Sequence, residues 1–543
     1  MSDKKKQSLL IGALTSSFGI FISKALGLLY YSPLSSLAGE SNMGFYATAY
    51  TYYDQLLKIS SAGIPFAIAA LVARYAAKED YKTVLLVKKL GVSLVMGLSF
   101  IVALVFLFVA SPLASFLLGA NTPAKDIAIL RNVFYILFIA VITVPYLSAI
   151  RGYYQGLKRL DLYASSQVLE QFVRVFCILF FGFLFVKIIK LDSIWAIYAA
   201  IAAAGVAAIV AIIFFAIMTK KDDKHVDEMA KAQEGDVSIT KKSLFIELIS
   251  MGIPYVIISF LGSAAPLVNT TFISYATKIG MDYQSSQLSY SILQANCNKL
   301  SSIPQVLTLG FSSGLVPYLT ESYEKKDVDK LSSQISQILD TVMFILIPIL
   351  VIFVLFAKDI YFIMYGNNNL ELGANLFAVS NLVTLTDTVA PILSSVMITL
   401  RMRRSAIITL IFSFIVKLAT FFPCVSLFGT YGMIYSTSLC SIAVIAVYLW
   451  ILRKRFGLEF KTTLKRLLMI VISSAIMVIP PFVIHHFLHF SYESRLMDIV
   501  IMAALGIMML AIYYFVTVSF TLPQQIFGIE KPSIKKLLKR FRG

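Results

Sequence analysis

The sequence predicts an all-α polytopic membrane protein of fourteen spans, and three observations carry that reading. The 543 residues are 58% hydrophobic and only 14% charged, where soluble domains hold about 25% charged residues. Mean hydropathy is +0.82. The 47 Lys and Arg residues gather at the ends of apolar runs and leave their interiors nearly uncharged. A span takes about 20 apolar residues, so fourteen of them with short connections fit this length. The same numbers exclude a water-soluble multidomain enzyme, a disordered chain and a disulfide scaffold. The net charge of +18 belongs to span ends and does not signal nucleic acid.

Apolar runs between charged or turn-rich breaks place the spans at 9–38, 43–73, 90–110, 128–150, 162–186, 193–218, 244–275, 290–320, 335–356, 371–400, 405–427, 430–452, 465–487 and 496–520. The first run follows Lys4, Lys5 and Lys6 and is too long for a cleaved signal, so it is expected to stay as a span. With the N-terminus in the cytoplasm, the connections on that side hold 35 of the 47 basic residues. The opposite side holds 7, and five stand in span interiors, residues within the first few positions of a span being counted with the adjoining connection. That asymmetry predicts a plasma-membrane protein with both termini cytoplasmic. The basic tail, with Lys535, Lys536, Lys539 and Arg540 beside Leu537, Leu538 and Phe541, has the pattern of an interfacial helix on anionic lipid.

The longest hydrophilic break divides the chain. Residues 1–218 form a first lobe of six spans, 219–243 a linker and 244–453 a second lobe of six. Residues 454–520 add spans thirteen and fourteen, and 521–543 form the tail. An internal match supports the division: Lys58-Ile-Ser-Ser, followed by Ile64-Pro65, in span two corresponds to Lys299-Leu-Ser-Ser-Ile-Pro304 in span eight. Two lobes in parallel orientation are then related by an axis along the membrane normal.

Charge inside a span is expensive, at least about 2.5–3.5 kcal/mol, so the intramembrane charges are the candidate site. The cations are Lys24, Lys58, Arg174, Lys299 and Lys417; the anions are Asp54, Glu170 and Asp387. Asp54 with Lys58, and Glu170 with Arg174, have the acid-first i, i+4 spacing of a helical ion pair. Asp387 and Lys417 are expected to pair between neighbouring spans. Lys24 and Lys299 have no acid within four residues. Gly27, Gly63, Pro65, Gly252, Pro254 and Pro304 interrupt the same spans, and interrupted helices at matching places in two repeats point to a transport site. Together these place a cationic cavity among spans one, two, seven and eight, and its natural ligand is an anion.

No enzyme signature competes. There is no phosphate-binding glycine loop, no Rossmann fingerprint and no Ser/His/Asp arrangement. The single cysteines Cys177, Cys297, Cys424 and Cys440 lack metal-ligand spacing. His485, His486 and His489 include one i, i+4 pair at the outer end of span thirteen with no third ligand nearby, so neither metal nor cofactor is expected. A membrane glycosyltransferase would need a larger acceptor site outside the bilayer than these connections offer.

The segment Ser23-Lys24-Ala25-Leu26-Gly27, the Lys58 and Lys299 helices and the fourteen-span layout resemble the multidrug/oligosaccharidyl-lipid/polysaccharide exporters. Within them the chain is similar to lipid II flippases of MurJ type and related sporulation and polysaccharide transporters. The resemblance implies that Lys24, Lys58 and Lys299 meet a lipid-linked diphosphate sugar in a central cavity. It adds Asp54, Tyr30 and Tyr31 to the substrate-binding set, the two tyrosines standing where MurJ-type members hold an Arg-Asp pair. Lys417 stands where some members have a polar residue of a sodium site, and spans thirteen and fourteen form a groove for the polyprenyl tail. The implied activity is lipid II translocation by alternating access, with membrane lipid and cell-wall synthesis proteins as partners. Another lipid-linked polysaccharide or spore-cortex precursor is the nearest alternative, and a multidrug antiporter a further one.

Overall fold

The computed structural model describes residues 26–27, 30–61, 63–119, 122–233, 239–276, 283–313, 319, 322–323, 325–457, 461–487 and 495–527, with side chains at 61, 273–276, 283–286, 306–313 and 485–486 excepted. Their regular structure is helical throughout, as a bilayer demands, because helices satisfy their own backbone donors and acceptors. Twelve helical stretches are long and apolar enough to cross a membrane. They match the expected spans two to seven and nine to fourteen one for one. Span one lies largely outside the described residues, and span eight is described only in part.

Two compact units account for the packing. The first contains Met1–Ala295 with Val425–Gly429. Its described helices are α1 (Tyr31–Ala38), α2 (Glu40–Ser61), α3 (Ile64–Ala76), α4 (Tyr81–Leu118), α5 (Ala124–Gly156), α6 (Leu160–Phe183), α7 (Ile194–Met218), α8 (Lys220–Ala232), α9 (Lys241–Gly262), α10 (Ala264–Ala276) and α11 (Tyr283–Ser291). Along α4, Val84, Val87, Gly91, Val95, Ser99, Ala103 and Ala110 recur at helical spacing and are buried. Phe100, Ile101, Val105 and Phe108 on the other face are exposed, as suits a lipid-facing surface. The inner faces meet in a core that includes Ile68, Leu71, Val87, Leu147, Tyr153 and Phe215. Leu244 and Leu248 of α9 belong to that same core.

The segment expected as a linker is, over 220–232, the helix α8. It forms because its acids find cations at neighbouring span ends. Asp223 Oδ1 accepts from Lys88 Nζ at 2.7 Å and from the Tyr154 hydroxyl at 2.8 Å, and Asp222 pairs with Arg159. Gln233 beyond it donates to Asp80 Oδ1 at 3.0 Å and accepts from the Lys82 amide at 3.0 Å. Val226 and Ala230 are buried beneath.

The second unit contains Asn296–Cys424 and Thr430–Gly543. Its described helices are α12 (Asn298–Ser313), α13 (Val328–Leu355), α14 (Ala357–Tyr365), α15 (Leu370–Thr399), α16 (Arg403–Phe428), α17 (Thr430–Phe456), α18 (Lys461–Phe487), α19 (Arg495–Ser519) and α20 (Leu522–Phe527). The last spans dock through Phe356, Met477, Met509 and Tyr513. Buried Asp340 accepts from Arg466 Nη1 at 2.6 Å and pins α18 to α13.

Candidate functional site

Gly63 and Pro65 end α2 and restart the chain as α3, with Pro65 in the first turn of the new helix. A proline there costs no helical hydrogen bond, because a first-turn amide has no partner within the helix. Lys58 thus stands one turn before the break. It makes the expected i, i+4 pair with Asp54, the two side chains being 24% and 46% exposed.

Deeper in the same unit, Glu170 binds two guanidiniums. Arg174 Nη2 donates to Glu170 Oε1 at 2.5 Å, as its spacing predicts, and Arg151 Nη1 donates to Oε2 at 2.8 Å. Arg151 Nε also donates to Ser166 Oγ at 2.9 Å. All three charged side chains are at most 16% exposed. Arg151 was not among the sequence candidates because span four was expected to stop at residue 150. The helix runs on to Gly156 and carries Arg151 more than a turn inside its end. The sequence does hold a signal: six uncharged residues separate Arg151 from Lys158.

The tyrosines lie near this network. Tyr46, Tyr50 and Tyr53 form a ladder along one face of α2, and the Tyr30 and Tyr46 hydroxyls share a 2.9 Å hydrogen bond. Tyr30, Tyr50 and Tyr53 all lie within electrostatic reach of Arg174. Tyr30 and Tyr31, expected to touch substrate, are 3% and 1% exposed. In this conformation they are core residues.

In the second unit, Lys299 is the second residue of α12 and follows a π-helical stretch, Ile292–Cys297. A π turn disturbs the regular ladder and often marks a functional place. Here Tyr365 donates to the Asn296 carbonyl at 3.1 Å, and Asn296 Nδ2 donates to the Tyr361 hydroxyl at 2.8 Å. Lys299 is half-buried. Lys58, five residues before Gly63, and Lys299, two residues after Cys297, therefore both stand close to a departure from regular α geometry.

The expected pairing of Asp387 with Lys417 is not made. Lys417 is fully buried, and Nζ donates to Ser436 Oγ at 2.7 Å and Thr437 Oγ1 at 2.8 Å. Asp387 accepts from Ser441 at 2.6 Å. Hydroxyls spaced along α17 satisfy each charge separately, which removes the need for direct contact. Lys24, His489 and the tail beyond Phe527 lie outside the described residues, as do the side chains of His485 and His486. Among the described residues, no three His, Cys, Asp or Glu side chains gather as metal ligands.

Comparison with known proteins adds to this geometry. The family described as "Polysaccharide biosynthesis protein" matches residues 9–323. The "Lipid II flippase MurJ" of Bacillus subtilis (strain 168) is 28% identical over 538 residues, spanning 96% of this chain and 97% of its own. The "Stage V sporulation protein B" of the same organism is 24% identical over 364 residues, spanning 67% of this chain and 68% of its own. A solved structure, "Lipid II flippase MurJ, inward closed conformation", superposes with a TM-score of 0.66 at 15% identity, covering 93% of this chain and 98% of that one. This last match is a likeness of fold.

Proposed function

This chain belongs to the polysaccharide biosynthesis protein family, and from that premise we propose that it is a flippase for the undecaprenyl-diphosphate-linked peptidoglycan precursor lipid II. The observation that carries the proposal is the end-to-end similarity to the lipid II flippase of Bacillus subtilis, 96% of this chain against 97% of that one. The match to the sporulation protein covers 67% of this chain and makes a spore-cortex or other lipid-linked saccharide the second reading. A multidrug antiporter fits less well. A cationic drug needs an available carboxylate, and Asp54, the acid of span two, is already paired with Lys58.

The proposed mechanism is alternating access by two six-span lobes, 1–218 and 244–453, in a bacterial plasma membrane with both termini cytoplasmic. Backbone geometry supports a repeat. Glu79 and Lys326 both have positive φ, 58° and 57°, and each precedes an aspartate that caps the next helix, Asp80 on Thr83 N and Asp327 on Lys330 N. The Asp80 and Asp327 amides each reach back five residues, to Tyr75 O and Ser322 O. Positive φ recurs at Gly119 and Gly366, at Lys158 and Arg401, and at Lys190 and Gly429. Four successive connections of one lobe thus have counterparts in the other.

In this reading Lys24, Lys58 and Lys299 neutralise the diphosphate, whose dehydration would otherwise oppose entry, while the prenyl tail stays in hydrocarbon. The lipid carrier, bulk membrane lipid and cell-wall synthesis proteins are its partners. The test is depletion of the protein in its host with assay of the lipid-linked precursor left on the cytoplasmic leaflet. Accumulated lipid II is the expected result. Unchanged lipid II with loss of another surface polysaccharide would transfer the assignment to the second reading.

A further inference from the structure

A cavity of about 270 Å³ opens beside Arg151 within the first unit. Ser148, Arg151 and Gln155, at i, i+3 and i+7, present one polar face of α5 to it, and Tyr163 and Gln167 of α6 stand opposite. Pro65 closes it where α3 begins, and α5 approaches so tightly that a Cβ on Gly152 would press on the Pro65 carbonyl. Gln167 Nε2 donates to the Tyr163 hydroxyl at 3.2 Å, which leaves the Tyr163 proton available to another acceptor.

Among the described residues the local charge does not balance. Arg151 and Arg174 share the single carboxylate of Glu170, and the Asp54–Lys58 pair is neutral, so one positive charge is left over. Arg151 is 8% exposed, and among the described residues its Nη2 has no hydrogen-bond partner. A charge held in low dielectric needs a counter-charge. Arg151 lies five residues from the end of α5 at Gly156, about 7.5 Å along the axis, and Lys158 and Arg159 follow.

We propose that this cavity holds the phosphate ester of a membrane lipid. One negative charge cancels the excess, and the phosphate oxygens accept from Ser148, Gln155 and Tyr163. Bulk anionic phospholipids and polyprenyl diphosphates both carry such a group with net negative charge, and the inference does not depend on flippase activity.

The experiment is native mass spectrometry of the full chain released from nanodiscs. The discs contain phosphatidylglycerol, undecaprenyl diphosphate or a neutral glucosyl-diacylglycerol. Phosphate-bearing lipid should remain bound to the wild type. It should be lost about tenfold in Arg151→Gln, where Glu170 keeps Arg174, and again in the charge-preserving double variant Ser148→Ala/Gln155→Leu. Retention of phosphatidylglycerol identifies a site for bulk lipid, and retention of the diphosphate alone a substrate subsite; either supports the proposal. Equal retention of the neutral glycolipid, or unchanged retention of phosphate lipid in the double variant, overturns it.

Discussion

Gly63 and Gly252 meet backbone to backbone. A Cβ on Gly63 would overlap the Gly252 carbonyl oxygen, whereas a Cβ on Gly252 would lie 3.3 Å from Ile64 Cγ1, a side-chain atom that can shift. The Phe66 and Tyr255 rings stack nearby at 6.0 Å, and Arg74 pairs with Glu247. Three separate contacts therefore hold α3 against α9. Gly63→Ala should destabilise the folded protein by about 1–3 kcal/mol, the usual cost of overpacking, and Gly252→Ala by distinctly less. Thermal unfolding of both variants in detergent gives the comparison. Equal losses would mean that the backbone contact does not limit the approach.

The Glu170 network predicts unequal effects from its two sides. Glu170→Gln leaves two buried guanidiniums facing each other without their shared carboxylate, a change expected to cost about 3–5 kcal/mol. Arg151→Gln keeps a one-to-one Glu170–Arg174 pair and should cost no more than about 2 kcal/mol. Membrane yield and melting temperature of the two variants check the order. A more damaging Arg151→Gln would show that Arg174 alone cannot hold the carboxylate.

These residues also show how far the sequence could be read. Hydropathy and the placement of Lys and Arg located the spans, because bilayer thickness imposes length and apolarity on each one. Spacing predicted Asp54–Lys58 and Glu170–Arg174, because i, i+4 neighbours meet on any helix. Arg151 was hidden because it stands near a span end, where cations are ordinary, and only the extension of α5 to Gly156 buries it. Direct pairing of Lys417 with Asp387 was expected from complementary charge, but sequence does not weigh a neighbouring helix whose hydroxyls satisfy each one separately. The docking of α8 was likewise hidden, since it depends on cations brought to its acids from Lys88 and Arg159.

That docking can be tested directly. Asp223 receives Lys88 and the Tyr154 hydroxyl, so Asp223→Asn removes the charge that anchors α8. Amide exchange across Lys220–Ala232 should quicken about tenfold, with α4 and α5 unchanged. Unaltered protection would assign the anchoring to Val226 and Ala230 instead.

Lys417 should be dispensable for folding. Without the ammonium, Thr437 Oγ1 and Ser436 Oγ still donate to the Met433 carbonyl, at 2.7 and 3.2 Å, so Lys417→Met strands no hydroxyl. Replacing a buried charge by an apolar chain of similar length is often neutral or stabilising. Lys417→Glu would instead add a second buried anion near Asp387 and should abolish stable insertion. Expression and unfolding of the pair decide this, and a folded Lys417→Glu would mean that water reaches the site.

The proposed clamp makes charge, more than side-chain shape, the determinant of transport. Arginine carries the same charge as lysine and can grip a phosphate in a fork, so Lys299→Arg should complement a depleted strain. Lys299→Ala should fail at normal membrane level. Lys58 differs, because Asp54 already meets it. Lys58→Met alone shifts the local charge by one unit and leaves the carboxylate behind, whereas Lys58→Met with Asp54→Asn restores neutrality. The double variant should therefore support more growth than the single one. Complementation with expression checked by blot measures all four. Full growth of Lys299→Ala, or a double variant no better than Lys58→Met, would remove electrostatic neutralisation as the reason these lysines stand inside spans.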